Sequence, residues 1–327
     1  MFVSYRHESI RLTGRWDIRD ESEAVCTATG SYLEFCFDGK MAVAQFNTLT
    51  NDVEQRLHLW IQVDGGVMTE APIDRALRVI CPEDGIHTVR IIYKGGQEAT
   101  ARWYAPLRGK VSFMGIKCDK PVAIAPDTRR TIEFVGDSIT EGVLIDNAPF
   151  FEDDMLNRPY QDDVCATYAW QTAAALDLRP IFMGYGAVGL TRSGSGKVPP
   201  AALAYPYNFD GSPITHTPSD IVLINHGAND RGKKDPVLYC EKYLELVRLI
   251  RAKNPDAVIV ALSAFCGAYH EELGAAIADY NRQNGCVVHY IDTFGWISPE
   301  PLHPTREGHT EVARRLIPIL GEILKEN

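Results

Sequence analysis

The sequence predicts an α/β protein in which an all-β sandwich or jelly roll precedes a three-layer α/β/α parallel sheet. Three observations predict it. Up to about residue 120, apolar residues alternate with period two between turn-forming glycines. Beyond about residue 125, short apolar strands alternate with stretches of helix length. Between the two patterns, from Lys120 to Asp127, Pro121 and Pro126 bracket a short link. The division is therefore expected at 1–122 and 123–327.

Taken in order, 31–37 reads as a strand ending in the Asp38-Gly39 turn, with 41–46 pairing back against it. Residues 57–63 run into Asp64-Gly65-Gly66, and 87–94 alternate in the same way before Gly95-Gly96. Regular spacing without an amphipathic helix suggests a sandwich or jelly roll. In the second half, 130–135, 221–225, 257–262 and 287–291 read as strands, and 167–176, 236–253, 273–284 and 306–325 as helices. Such alternation implies a parallel sheet covered on both faces, with chemistry at the carboxyl ends of its strands.

Composition narrows the function. The 327 residues are 45% hydrophobic and 23% charged, enough to bury a sizeable core. A formal net charge of −10, with no run of Lys and Arg, argues against nucleic acid as a partner. Charged residues appear within the first eight, and no stretch approaches the roughly 20 apolar residues of a membrane span. A cytoplasmic protein without membrane contact is expected. Eight cysteines lie scattered without a CxxC pair, which reads as buried thiols in a reducing compartment and not as a zinc site. No metal or organic cofactor is expected, and the number of subunits stays open.

Four positions fall where a parallel sheet gathers its chemistry. Gly136-Asp137-Ser138 directly follows the first strand and sets a hydroxyl at the rim of the sheet. Backbone N–H groups there can meet a developing negative charge, although a helix-capping serine is the plainer reading. Gly189 lets its N–H approach an oxyanion without a Cβ in the way. Asn229, in the run Asn225-His226-Gly227-Ala228-Asn229-Asp230, carries an amide donor, though an Asx turn would use the same residue. His303 precedes Pro304 and a helix start, which places it on a loop; a serine nucleophile needs such a base at neutral pH.

This order of serine, glycine, asparagine and histidine resembles the blocks of the SGNH or GDSL hydrolases, over roughly residues 130 to 325. The segments around Ser138, Asn229 and His303 carry most of the likeness. The resemblance implies a flavodoxin-like SGNH fold and a serine esterase. Ser138 would be its nucleophile and His303 its base. The Ser138 and Gly189 N–H groups and the Asn229 amide would form the oxyanion hole. Upstream, Gly14-Arg15-Trp16, Gly85 to Arg90 and Gly109 to Ile116 resemble carbohydrate esterase family 2, which sets a jelly roll before an SGNH domain. That likeness implies deacetylation of plant polysaccharides or their fragments, as by an acetylxylan esterase.

One block departs from the pattern. SGNH enzymes place an aspartate three residues before the histidine, and this chain has Glu300 there. Glu300 could still orient the imidazole; otherwise the enzyme works as a Ser–His dyad. Asp292 reads as structural. Asp137 and Trp296 are candidates for the substrate pocket, Trp296 equally for the core. The acidic, aromatic stretch 147–164 could wall the cleft, where it would favour neutral sugars, or lie in solvent. Two alternatives remain: a thioesterase or lysophospholipase of longer acyl chains, disfavoured by the lack of an amphipathic lid, and a carbohydrate-binding protein with an inactive hydrolase half. The intact set of four blocks argues against the second.

Overall fold

The computed structural model describes residues 1–54, 56–146, 158–285 and 287–326. Nine antiparallel strands fill the first part: β1 (Phe2–Ser4), β2 (Ile10–Thr13), β3 (Ala24–Cys26), β4 (Tyr32–Phe46), β5 (His58–Val63), β6 (Thr69–Pro72), β7 (Ala76–Ile80), β8 (Ile86–Gly95) and β9 (Val111–Pro121). The hairpin expected at Asp38-Gly39 does not form. Instead β4 continues through it as one 15-residue strand. Tyr32 to Asp38 pairs with β8, and β2 lies on the other edge of Tyr32–Phe35. Met41 onwards pairs with β7 and β9. Gly39, at φ +136°, marks a register shift where the strand bends from one layer into the next instead of reversing. The layers close over Leu33, Phe35, Phe37, Phe46, Ile91 and Phe113, all buried.

The second part holds a five-stranded parallel sheet in the order β11-β10-β14-β15-β16. Its strands are β10 (Thr131–Gly136), β11 (Arg179–Gly184), β14 (Ile221–Asn225), β15 (Val258–Leu262) and β16 (Val288–Ile291); β12 (Tyr207–Phe209) and β13 (Ser212–Pro213) form a small separate ribbon. The sequence reading missed β11. Pro180 removes a ladder donor and reads as a strand breaker, yet β11 is an edge strand whose outer side needs no partner.

Successive strand residues point to opposite faces, and the helices divide accordingly. The helices are α1 (Ser138–Glu141), α2 (Arg158–Gln161), α3 (Tyr168–Ala175), α4 (Ala201–Ala204), α5 (Pro236–Lys253), α6 (His270–Asn284) and α7 (Arg306–Glu326). Val222 and Ile224 join the core beneath α4, α5 and α6, whereas Ile221 and Leu223 join that beneath α3 and α7. Among the described residues, no helix is long and apolar enough to cross a membrane. The seven described cysteines are free thiols, and Cys286 lies outside the described residues.

Buried charges join the halves. Arg15, just after β2, forms a 2.8 Å ion pair with Glu133 on β10, and neither side chain is exposed. Its guanidinium also donates to the carbonyls of Tyr205 and Tyr207. Burial would push the Glu133 carboxyl up, but Arg15 and His216 outweigh it and hold it at about 2. Arg102 pairs with Glu141 on α1, again with both partners buried. Lys94 on β8 donates to the carbonyls of Pro159, Tyr160 and Asp162.

Candidate active site

The strand order reverses at β10, since the chain goes next to β11 on one side and later to β14 on the other. The loops after these three strands diverge there and leave a crevice at their carboxyl ends. Ser138 follows β10, Gly189 follows β11, and Asn229 follows β14.

A tight strand-to-helix turn presents Ser138. A Cβ on Gly136 would lie 2.1 Å from Thr140 Oγ1 and 3.0 Å from the Asn225 carbonyl oxygen, so only glycine fits. Asp137 caps α1, its Oδ1 accepting from the Ile139 N–H at 3.0 Å. Helix α1 is one turn long and ends at Gly142, φ +89°. Thr140 shares a 3.0 Å hydrogen bond with the Tyr168 hydroxyl beneath the sheet. The hydroxyl of Ser138 is nearly buried and meets His303 Nε2 at 2.9 Å.

His303 comes from the loop between β16 and α7, 165 residues along the chain from the serine. Burial lowers the imidazole pKa below its ordinary value. Glu98 opposes the depression, while Arg158 and Arg231 add to it. The imidazole is therefore neutral, and able to take a proton, over a wider pH range than free histidine.

Among the described residues, no carboxylate meets Nδ1 of His303. Glu300 is exposed; its carbonyl accepts from Ser298 Oγ, and its carboxylate makes neither a hydrogen bond nor an ion pair. The structure thus does not bring Glu300 to the histidine, because the carboxylate faces solvent. Asp292 also lies elsewhere: it accepts from Ser263 Oγ and the Phe294 N–H and pairs with His270. Trp296 packs half-buried on the core.

The oxyanion candidates converge, but two are already engaged. The Ser138 N–H, first of its helix, has no intrahelical acceptor. The Gly189 N–H donates to the Arg192 carbonyl at 3.1 Å. Asn229 Nδ2 donates to Asp137 Oδ2 at 3.2 Å and to the Val188 carbonyl at 3.1 Å. Asp137 therefore does more than cap α1, since it also fixes the Asn229 amide. Burial pushes the Asp137 carboxyl up to about 7 against the pull of the Ile139 N–H, and Asp230 and Glu141 add to the rise.

Two supports were not anticipated. Asp230 accepts from the Leu190 and Thr191 N–H groups and from Thr191 Oγ1, at 2.7 to 3.0 Å, and so binds the Gly189 loop to the Asn229 loop. Its place beside Asn229 was the available signal. Glu98, from the all-β half, pairs with Arg158 at 3.5 Å and lies against Gly186. Nothing in the sequence pointed to it. From the 147–164 stretch, Asp162 and Asp163 are turned inward: Asp162 accepts from the Leu144 N–H, Asp163 from Trp60 Nε1. Phe150, Phe151, Glu152, Asp153 and Asp154 lie outside the described residues. Among the described residues, no cluster of three or more His, Cys, Asp or Glu side chains could hold a metal ion.

This arrangement can carry out acyl transfer through a serine ester. Residues 134–310 match the GDSL-like Lipase/Acylhydrolase family. Over 96% of its length, the chain is 25% identical to 89% of an acetylxylan esterase/glucomannan deacetylase of Cellvibrio japonicus. It superposes with a TM-score of 0.81 on a family two carbohydrate esterase from Clostridium thermocellum in complex with cellohexaose, at 22% identity, covering 97% of this chain and 99% of that one. An acetyl xylan esterase from Butyrivibrio proteoclasticus gives the same TM-score at 16% identity, with 99% of each chain covered. With a serine opening the turn after a strand, a loop histidine within hydrogen-bonding reach and a family match over more than half its length, the chain belongs to the GDSL-like lipase/acylhydrolase family and is a carboxylic ester hydrolase.

Proposed function

We propose that this esterase removes short acyl groups, acetyl above all, from the hydroxyls of a carbohydrate by a Ser138–His303 dyad. The 2.9 Å contact between His303 Nε2 and Ser138 Oγ carries the reading. Ser138 Oγ attacks the ester carbonyl as Nε2 takes its proton. The carbonyl oxygen becomes an oxyanion facing the Ser138 N–H; the Gly189 N–H turns towards it from the Arg192 carbonyl and the Asn229 amide from the Val188 carbonyl, Asn229 keeping its bond to Asp137. Such bonds commonly tighten only as charge develops. Nε2 then protonates the departing sugar oxygen, leaving an acyl-serine. Water, losing its proton to Nε2, attacks that ester, and the tetrahedral species collapses to free acid as Nε2 returns the proton to the departing Ser138 Oγ. Asp137 holds Asn229 in place.

The carbohydrate substrate is supported by the likeness to the deacetylase of Cellvibrio japonicus. Residues 1–122 and 123–327 are read as two structural units, the first framing the cleft of the second. Hydrolysis of p-nitrophenyl acetate tests the chemistry. Ser138→Ala should lower kcat by about 10⁴- to 10⁶-fold with the fold intact; full activity in that variant would overturn the assignment. Rates rising from acetate to octanoate would overturn the short-acyl preference and favour longer chains.

A further inference from the structure

A cleft of about 360 Å³ opens where the halves meet, between the loop after β8 and the 195–197 turn after β11. Tyr104, Arg108 and Lys197 line it, all exposed, and none of its lining residues is acidic. Among the described residues, neither cation makes a side-chain hydrogen bond or ion pair. In a chain with 43 acidic and 33 basic residues, two cations facing one cleft without a counter-charge call for an anion from outside.

Both halves build the cleft. Gly196 takes φ +63°, and a Cβ there would lie 2.5 Å from the Thr100 carbonyl oxygen, so the turn is seated directly on the loop of the all-β half. The cleft also adjoins the catalytic loops. Ala99 in its wall is next to Glu98, whose carboxylate lies against Gly186. The Ser195 N–H donates to the Gly186 carbonyl at 2.8 Å, and Gly189 is three residues further along that loop. The Glu98 carboxylate beside this wall is already paired, with Arg158 at 3.5 Å.

We propose that this cleft binds the carboxylate-bearing sugar of an acidic saccharide, so that the preferred substrate is an acetylated, uronate-containing saccharide. The substrate half of this inference rests on the esterase reading above. The Arg108 guanidinium matches a carboxylate as a planar fork, Lys197 adds a second charge, and the Tyr104 ring offers a flat face to the sugar. Of the acids in the 147–164 stretch, which had favoured neutral sugars, Asp162 and Asp163 are buried and bonded within the fold, and Glu152, Asp153 and Asp154 lie outside the described residues.

The test uses the full chain and two ester-free probes, tri-galacturonate and neutral xylotriose, with binding followed by calorimetry. Tri-galacturonate should bind about tenfold or more tightly than xylotriose, a difference of roughly 1.4 kcal/mol. The preference should fall towards one in an Arg108→Gln/Lys197→Gln variant of unchanged melting temperature, and in salt of about 0.5 M. Arg108→Lys should retain part of it. Equal affinities, or a preference that survives the double substitution, would overturn the proposal. In the kinetic arm, acetylated xylo-oligosaccharides with a glucuronate branch should show lower KM than unbranched ones. Uronate binding by a protein that cleaves no ester would leave the cleft standing and remove the esterase. Ester cleavage with indifference to uronate would do the reverse.

Discussion

Replacing Glu300 by glutamine separates a dyad from a triad. The substitution keeps size and hydrogen-bonding reach and removes only the charge. If the carboxylate held Nδ1 of His303, its loss would favour the wrong tautomer and leave the imidazolium without its partner, costing about 10⁴-fold in kcat, or roughly 5.5 kcal/mol. The structure gives a different figure. Glu300 is exposed and no ion pair reaches His303, so its carboxylate lies beyond the 4.0 Å of such a contact. Even at 4 Å through water, the remaining attraction is at most about 1 kcal/mol, or a factor of about five. Steady-state kinetics with p-nitrophenyl acetate distinguish these outcomes easily. A loss in kcat/KM beyond about 100-fold, some 2.7 kcal/mol, would refute the dyad.

Charge around His303 should appear in the pH profile. Activity needs the neutral imidazole, so kcat/KM falls as pH drops through its pKa, which burial sets below the ordinary value. Glu98 raises that pKa and Arg231 lowers it, so Glu98→Gln should move the acid limb to lower pH and Arg231→Gln to higher pH; shifts in the same direction would contradict this reading. Asn229→Ala should lower kcat by about 10²- to 10³-fold with little change in KM, and an unchanged kcat would remove it from the oxyanion hole. Arg15→Met strands the Glu133 charge in the interior, at a cost of about 3–5 kcal/mol. With an unfolding entropy of about 2.1 cal/mol/K per residue, calorimetry should record a melting temperature lower by about 4–7 °C. Adding Glu133→Gln should restore much of the loss, and a single variant that melts with the native protein would show the pair to be dispensable.

The meeting of Ser138 and His303 was legible because the roles proposed for them demand local sequence grammar. A nucleophile at a sheet rim needs a strand, a glycine and a capping aspartate in sequence, and a loop base needs a helix breaker such as Pro304 beside it. The engagement of the oxyanion candidates was not legible, since the Gly189 N–H is committed by a turn closing on Arg192, and Asn229 by a carboxylate 92 residues away. Glu98 and Arg102 were silent for the same reason: no local pattern marks a side chain whose partner lies in the other half. The lost hairpin and the missed β11 are failures of punctuation. Gly39 bends a strand as readily as it ends one, and Pro180 is excluded only from strands paired on both sides.

The all-β half is best understood through the weakness of helix α1. A single turn cannot sustain itself in water, because nucleating a helix fixes several residues for one hydrogen bond. What keeps Ser138 in place must therefore come from tertiary contacts. Asp137 caps the turn, Thr140 meets Tyr168, and Asp163 donates its N–H to the Gly142 carbonyl, all within the α/β half. The Arg102–Glu141 pair supplies the remaining hold from the other side. Burial pushes the Glu141 carboxyl up even with Arg102 present, so without that arginine the site would carry either an unpaired charge or a protonated acid three residues after Ser138. The segment behind α1 is held likewise, by Lys94 on three carbonyls and by Trp60 on Asp163. The placement of Ser138 and the docking of the halves are thus one structural problem, which accounts for basic and acidic side chains being buried together at their interface when an apolar seam would have been cheaper to desolvate.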